Sequence, residues 1–334
     1  MAKKSRKTTE RSNGVTCLKV LATGALLSML LSVTAAPVSA YSENRTELPL
    51  SESRSVPETN VNYNLHSGSR LSRITYNLPG IPSRSLYYYK TLSLYVGSRR
   101  LSEPAVVIND ITYIPLRAYA NAIGASVSYS SSTKTMTLTK SGLYMSATDG
   151  GYVIYANDRP IFNFSPNVIM SNGKMYVSLS SVMKITGYRA SIDSSSVSIS
   201  GSYSPLAKAS AYYREDEVFW LARIITAEAK GESLLGQIAV GNVILNRTKH
   251  PSYPNTIYGV IFDRKYGVQF SPILDGSIYN NPTYTAILAA KICLEGTRLS
   301  EDALFFLNPR TAQSSWIIYS REYAYTIGGH DFYK

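Results

Sequence analysis

Residues 107–116 read V-I-N-D-I-T-Y-I-P-L and residues 170–179 read M-S-N-G-K-M-Y-V-S-L, a self-similarity at a constant offset of 63. A repeat of this kind marks one supersecondary unit used twice, stacked so that each copy covers the apolar face of the other. In both copies two extended runs meet across a two-residue polar step, Asn109-Asp110 and Asn172-Gly173, which is β-hairpin chemistry. A short helix follows each hairpin. Pro115 suits the first turn of one, with Gly124 just past its end, while Ser178 suits the N-cap of the other and Gly187 its C-terminal stop. Val127 and Tyr129, then Met136 and Leu138, alternate as strands, and Ile192, Val197 and Ile199 do so in the second copy. Tyrosine and serine are frequent here, Tyr87-Tyr88-Tyr89 included; rings beside hydroxyls can stack on sugars, or simply suit a pleated surface.

The chain opens with Lys3, Lys4, Arg6, Lys7, Arg11 and Lys19, then an apolar run at 20–34 and the small-residue step Val38-Ser39-Ala40. This pattern reads as a secretory signal peptide, residues 1–40, with cleavage expected near Ala40. Cys17 lies inside it, leaving Cys293 alone in the mature chain, so no internal disulfide can form. Residues 41–86, rich in Ser, Arg, Asn and Pro without periodicity, read as a flexible linker. The repeat module spans 87–200, in copies at about 92–139 and 151–200; a small-residue hinge, 201–213, leads to a last domain, 214–334. The mature chain has 28 basic and 21 acidic residues, and from Lys208 onward the balance is 13 to 12, so the excess lies in front of the last domain. A basic exported module suits an anionic wall polymer or phospholipid, or is only a solubilising charge; export disfavours nucleic acid.

Residues 221–232, L-A-R-I-I-T-A-E-A-K-G-E, set a carboxylate into the apolar stripe of a helix. Glu228 lies three residues after Ile225 and seven after Leu221, so it shares their face. Desolvation there disfavours the charged form and raises the pKa toward values useful to a proton donor. The alternative is a helix-end glutamate that caps, or pairs with Arg223 or Lys230. Periodicity predicts helices over 217–229, over 236–247 (apolar nearly all round and hence central) and over 283–294. Gly241 lets a neighbour approach the central helix, and Cys293 reads as a packed thiol. Residues 305–307 and 316–319 read as short strands or an extended rim, and His330 sits on a glycine-rich tail. The three histidines, His66, His250 and His330, are isolated, so neither a catalytic zinc site nor any other cofactor is expected.

From Glu228 through Arg247, with His250-Pro251, Tyr253-Pro254-Asn255-Thr256, Gly259-Val260-Ile261-Phe262, Asp275-Gly276, the run F-x-N-P-x-x-A-x-S-x-W-I at 306–317, and His330, the chain closely resembles the SleB/CwlJ-type cell wall hydrolases, which include the spore cortex-lytic enzymes. Lys230 stands where an arginine is usual, and Gln269-Phe270-Ser271-Pro272 is a loose version of the family's step. The repeat resembles the stalk-like domain of the copper amine oxidase N-terminus; with no histidine between Ser67 and Lys249 it lacks imidazoles for copper. Together these imply a multidomain chain, a β-rich tandem hairpin/helix repeat followed by a lysozyme-like, mainly helical α+β catalytic domain. The implied substrate is peptidoglycan, cut at the MurNAc–GlcNAc bond with Glu228 as catalytic acid in a secreted protein of the cell wall or spore envelope. Candidate groove residues by resemblance are Phe270, Ser271, Asn308, Trp316 and His330, with Glu232 as a solvated or supporting carboxylate. One acid suffices if the muramic C6 hydroxyl attacks, which favours lytic transglycosylation. A muramidase with two carboxylates, or a non-catalytic wall-binding or spore-coat scaffold, are the alternatives.

Overall fold

The structure is a computed structural model that describes residues 75–76, 84–85 and 89–334, apart from 266 and 313–315. The expected signal peptide and most of the expected linker lie outside the described residues. Within the span read as linker, β1 (Thr75–Tyr76) and β2 (Arg84–Ser85) pair antiparallel.

The first repeat contains β3 (Tyr89–Val96), β4 (Arg99–Arg100), β5 (Ala105–Ile108), β6 (Ile111–Pro115), α1 (Leu116–Ala122), β7 (Ser126–Ser130) and β8 (Thr135–Lys140). Next come β9 (Leu143–Thr148), β10 (Val153–Ala156) and β11 (Arg159–Phe162), then β12 (Val168–Ser171), β13 (Lys174–Ser178), α2 (Leu179–Thr186), β14 (Arg189–Ile192) and β15 (Ser196–Ser200). Both expected hairpins form. Asn109 and Asp110 have φ of 48° and 63°, and Asn172 and Gly173 have φ of 49° and 71°, the left-handed pair that a two-residue turn needs. A third turn of the same kind, at Asn157-Asp158, joins β10 to β11 outside the repeat pattern.

The copies interlock. One sheet runs β12-β13-β6-β5-β3-β15-β14, so hairpins from both copies share a ladder, with Val177 opposite Ile114 and, in parallel pairing, Ile199 opposite Val96. The second sheet runs β11-β10-β9-β8-β7. Leu92, Leu94, Ile114, Leu116, Tyr119, Val182 and Ile185 are buried in the common core, apolar surface that neither copy could hide alone. Pro115 differs from its expected role: it ends β6 and stands at the N-cap of α1. Ser178 does occupy the N-cap of α2, but its hydroxyl bonds Ser180 instead of a helix N–H.

The last domain holds α3 (Ala209–Tyr212), α4 (Glu215–Ala229), α5 (Leu234–Lys249), α6 (Ile257–Ile261), α7 (Tyr284–Leu294), β16 (Phe305–Leu307), α8 (Trp316–Ser320), β17 (Tyr323–Ile327) and β18 (His330–Tyr333). The three expected helices are α4, α5 and α7. Residues 235–247 of α5 are all buried, as a helix packed on several sides must be. Gly241 is the point of closest approach, since a Cβ there would lie 2.8 Å from Cys293 Sγ on α7 and 2.9 Å from Ile225 Cδ1 on α4. Asn242 and Asn246, one turn apart on α5, donate to Thr297 O, Ser300 O and Ala303 O, and Arg247 Nε donates to Leu304 O. These bonds carry the chain from α7 into the sheet β16-β18-β17.

Two expectations are corrected. Trp316 begins a helix, not an extended rim. His330 lies in β18, the central strand of that sheet, because the glycines before it form the turn of the β17–β18 hairpin.

The two modules are in contact. Val153, Tyr155, Phe162 and Phe164 of the repeat pack against the helical core. At the end of α7, Glu295 receives both Arg159 Nε (2.7 Å) and Nη2 (2.9 Å) from β11, together with Tyr213 Oη (2.6 Å) and Lys184 Nζ (3.1 Å). The segment read as a hinge is held along the second copy: Ser204 N–H donates to Thr186 O, Leu206 N–H to Ile185 O, and Asn157 Nδ2 to Leu206 O.

Candidate active site

Glu228 sits in the last turn of α4, flanked by the buried residues Ile224, Ile225 and Ala229. Among the described residues its carboxylate has no ion-pair or hydrogen-bond partner. Arg223, one alternative partner, instead lies over Phe219 at 4.2 Å and donates to Ile278 O, and Lys230 is exposed. Burial pushes the Glu228 carboxyl up to about 7, and the negative charge of Asp275 adds to the rise. Asp275 is exposed and held below the usual carboxylate range by hydrogen bonds from Ser277. Two carboxyl groups in mutual reach are thus driven apart, one toward holding a proton and the other toward charge.

Three residues separate Ala229 at the end of α4 from Ser233, the N-cap of α5, whose hydroxyl accepts from Gly236 N–H. Glu232 lies in this link, and it is not the free loop carboxylate that its position beyond Gly231 allows. Gly329 N–H donates to its Oε2 at 3.1 Å, and His330 Nδ1 lies 3.5 Å from its Oε1. His330 is buried and its pKa is lowered by that burial, so at neutral pH the contact joins a neutral imidazole to a carboxylate and is not an ion pair. Gly328 has φ of 60°, and a Cβ there would collide with Glu232 Oε2. The glycine turn is shaped to the carboxylate. Asn308 belongs to the same group: its side-chain nitrogen would lie 3.2 Å from a Cβ on Gly329, and its Oδ1 accepts from Arg310 N–H.

The other candidates divide. Ser271 is exposed and starts the loop 271–279 that leads to Asp275. Phe270 is 4 % exposed, packed between Phe306 and the Arg247 guanidinium, so its ring has little face left for a sugar. Trp316 is half exposed but packs edge-on against Phe305, whereas His330 packs against Phe306. Successive strand residues point to opposite faces. Trp316 therefore lies on the face of the sheet away from Glu232 and His330, edge-on to Phe305, which is itself clustered with Leu307 and Tyr333. Cys293 is buried, its thiol pushed up to about 12 by desolvation and seated against Asn242 and Ile238 O, which makes it inert as a nucleophile. No group of three or more His, Cys, Asp and Glu side chains able to hold a metal occurs among the described residues.

Sequence reasoning missed the coupling of Asp275 to Glu228 and the cradle formed by Gly328-Gly329. A glycine pair directly ahead of a histidine was the available signal for the second, and Gly328 does take a positive φ.

Residues 231–333 match the family model described as Cell Wall Hydrolase, and residues 96–200 match that of the Copper amine oxidase N-terminal domain. This chain joins a copper amine oxidase N-terminal domain to a cell wall hydrolase domain. Glu228 stands three residues ahead of the matched hydrolase segment. The chain is 39 % identical over 122 residues to a spore cortex-lytic enzyme of Bacillus cereus, and 39 % over 120 residues to that of Bacillus subtilis, each match covering 36 % of this chain. It spans 46 % and 38 % of the length of those two relatives. The solved catalytic domain of the germination-specific lytic transglycosylase SleB from Bacillus anthracis is 39 % identical, with 36 % of this chain and 97 % of that one covered and a TM-score of 0.34. For the catalytic domain of the Bacillus cereus SleB protein the figures are 39 %, 36 %, 92 % and 0.33. The hydrolase match thus accounts for about the last third of the chain, and the repeat match for just under half of what precedes it.

Proposed function

We propose that the protein is an exported enzyme that degrades peptidoglycan by cutting the MurNAc–GlcNAc bond, acting as a lytic transglycosylase on cell wall or spore cortex. The observation that carries this reading is the Glu228 carboxyl, unpaired among the described residues, raised to about 7 and set at the end of a helix in a domain matching cell wall hydrolases. A carboxyl in that range is protonated in a useful fraction of molecules at neutral pH and loses its proton readily in the transition state. The relatives named spore cortex-lytic enzymes, and the neighbour titled a lytic transglycosylase, support the substrate and the reaction type. We read the helical core with its single acid as lysozyme-like in arrangement, and Glu228 as the catalytic residue.

In this mechanism Glu228 gives its proton to the glycosidic oxygen as the bond from the muramic C1 breaks, and the GlcNAc O4 leaves as a hydroxyl. The muramic C6 hydroxyl attacks C1 and yields its proton to the Glu228 carboxylate. The acid is restored and a 1,6-anhydro ring remains. No water is consumed. Glu232, fixed by Gly329 N–H and facing His330, supports the groove wall; Asn308 and Ser271 line its approaches. The copper amine oxidase-like module serves wall retention through its share of the basic excess, with anionic polymers as partner.

Asp275 favours a second reading, hydrolysis, because an ionised carboxylate near the acid can activate water. Fragment masses from purified sacculi and cortex peptidoglycan separate the two. Transglycosylation yields anhydromuramic ends, lighter by one water than reducible ends, with or without chelator. Reducible ends would show water as the nucleophile and turn attention to Asp275 and Glu232.

A further inference from the structure

On α4, two turns before Glu228, Trp220 is the hub of a set of rings the chemistry above does not use. Its centroid lies 5.3 Å from Tyr258 and 5.2 Å from Phe262 at the two ends of α6, and 6.5 Å from Tyr279. Tyr258 and Phe262 are themselves 4.5 Å apart. Trp220 and Phe262 are half-buried against the core, but Tyr258 is 53 % exposed and Tyr279 59 % exposed. Nothing among the described residues requires two tyrosines to leave half their surface in water while their neighbours hold them fixed edge to face.

The set is continuous with the catalytic carboxyl. Residues 271–279 form one loop along α4: Asp275 acts on the Glu228 charge at one end, Ile278 O receives Arg223 from the middle of the helix, and Tyr279 meets Trp220 at the other. At 1.5 Å per residue the eight residues from Trp220 to Glu228 span about 12 Å, so a chain molecule cut at Glu228 has further units over the rings. A pyranose presents an apolar C–H face and an equator of hydroxyls. A rigid phenol ring offers an apolar face with a hydroxyl at its rim, the matching surface at small entropic cost.

We propose that Trp220, Tyr258 and Tyr279 form a stacking platform for sugar rings remote from the cleaved bond, so that the enzyme grips a glycan strand over several units. The proposal rests on peptidoglycan being the substrate. The platform stabilises substrate and transition state alike, which lowers KM on long strands without altering the chemical step.

The test uses the full chain and the variants Tyr258→Ala, Tyr279→Ala and Tyr279→Phe, their folds checked by melting; both tyrosines are exposed enough to be removed without opening the core. Kinetics are measured on purified long glycan strands and on the shortest muropeptide oligomer the wild-type protein cuts. Each alanine variant should raise KM on strands about fivefold, with kcat unchanged and no change on the short oligomer, and Tyr279→Phe, which keeps the apolar face and loses only the rim hydroxyl, should raise it by less. Unchanged KM on strands in both alanine variants overturns the platform while wild-type cleavage leaves the peptidoglycan reading standing. A change in molecular mass by light scattering with KM unmoved would make the rings a contact between copies and overturn it as well. A wild-type protein that cuts no peptidoglycan removes the function itself.

Discussion

The position of Glu228 was legible from three residues, because Leu221, Ile225 and Glu228 must share one helix face whatever surrounds them, and α4 keeps that face buried. Its pKa was legible in direction only: the part due to Asp275 depends on a loop that comes nearly fifty residues later, and no periodicity brings that loop back to α4. The raised pKa has a consequence for stability. Its folded value, about 7, lies above the usual 4.5, so the folded state binds the proton more tightly; the stability this gives is complete below pH 4.5 and is lost as pH rises through about 7. Glu228→Gln removes the penalty of ionising a half-buried group. In urea melts the variant should match the wild type near pH 4 and exceed it near pH 8 by about 1 kcal/mol, a value reduced for partial exposure. Equal stability at both pH values would mean that the carboxyl is not desolvated.

At the scale of elements, patterns that depend on nearest neighbours in the chain were readable and those set by distant contacts were not. The two hairpins at Asn109-Asp110 and Asn172-Gly173 follow from residues that accept positive φ, and α5 follows from an unbroken apolar composition. The β17–β18 hairpin was not readable, since its strands are held by ring pairs across the ladder, Tyr325 stacked on Phe332 and Tyr323 edge-on to Tyr333, and not by alternation alone. Trp316 was assigned to a rim because W-I-I-Y has strand composition, yet Ser320 Oγ bonds back to Trp316 O in a helical turn. The three-helix packing of α4, α5 and α7 turns on Gly241. Gly241→Ala forces a methyl between Cys293 Sγ and Ile225 Cδ1, both within 3 Å and both on fully buried side chains that must shift to admit it. Overpacking of this kind costs about 1–3 kcal/mol, which chemical denaturation should register as a lower midpoint; an unchanged midpoint would show that the helices have room to separate.

Over the whole molecule, composition drew the border between repeat and hydrolase domain near residue 201, and a hinge follows naturally from a run of small residues. Composition cannot report that Arg159 and Glu295, 136 residues apart, meet with side chains only 4 % and 2 % exposed. A carboxylate buried that deeply is tolerable while Arg159, Lys184 and Tyr213 surround it, and removing one partner leaves an uncompensated charge. Arg159→Ala should therefore destabilise the described module by about 3–5 kcal/mol, seen in urea melts of the full chain, whereas a loss within experimental scatter would show the two domains to be independent. The chemistry is tested most directly by lysis of purified sacculi across pH 4 to 9 with wild-type protein and with Glu228→Gln. The account predicts wild-type activity that declines as pH rises through about 7, where the acid loses its proton, and a Glu228→Gln protein that is folded and slower by about a hundredfold or more at every pH. A folded Glu228→Gln protein with wild-type activity would contradict it.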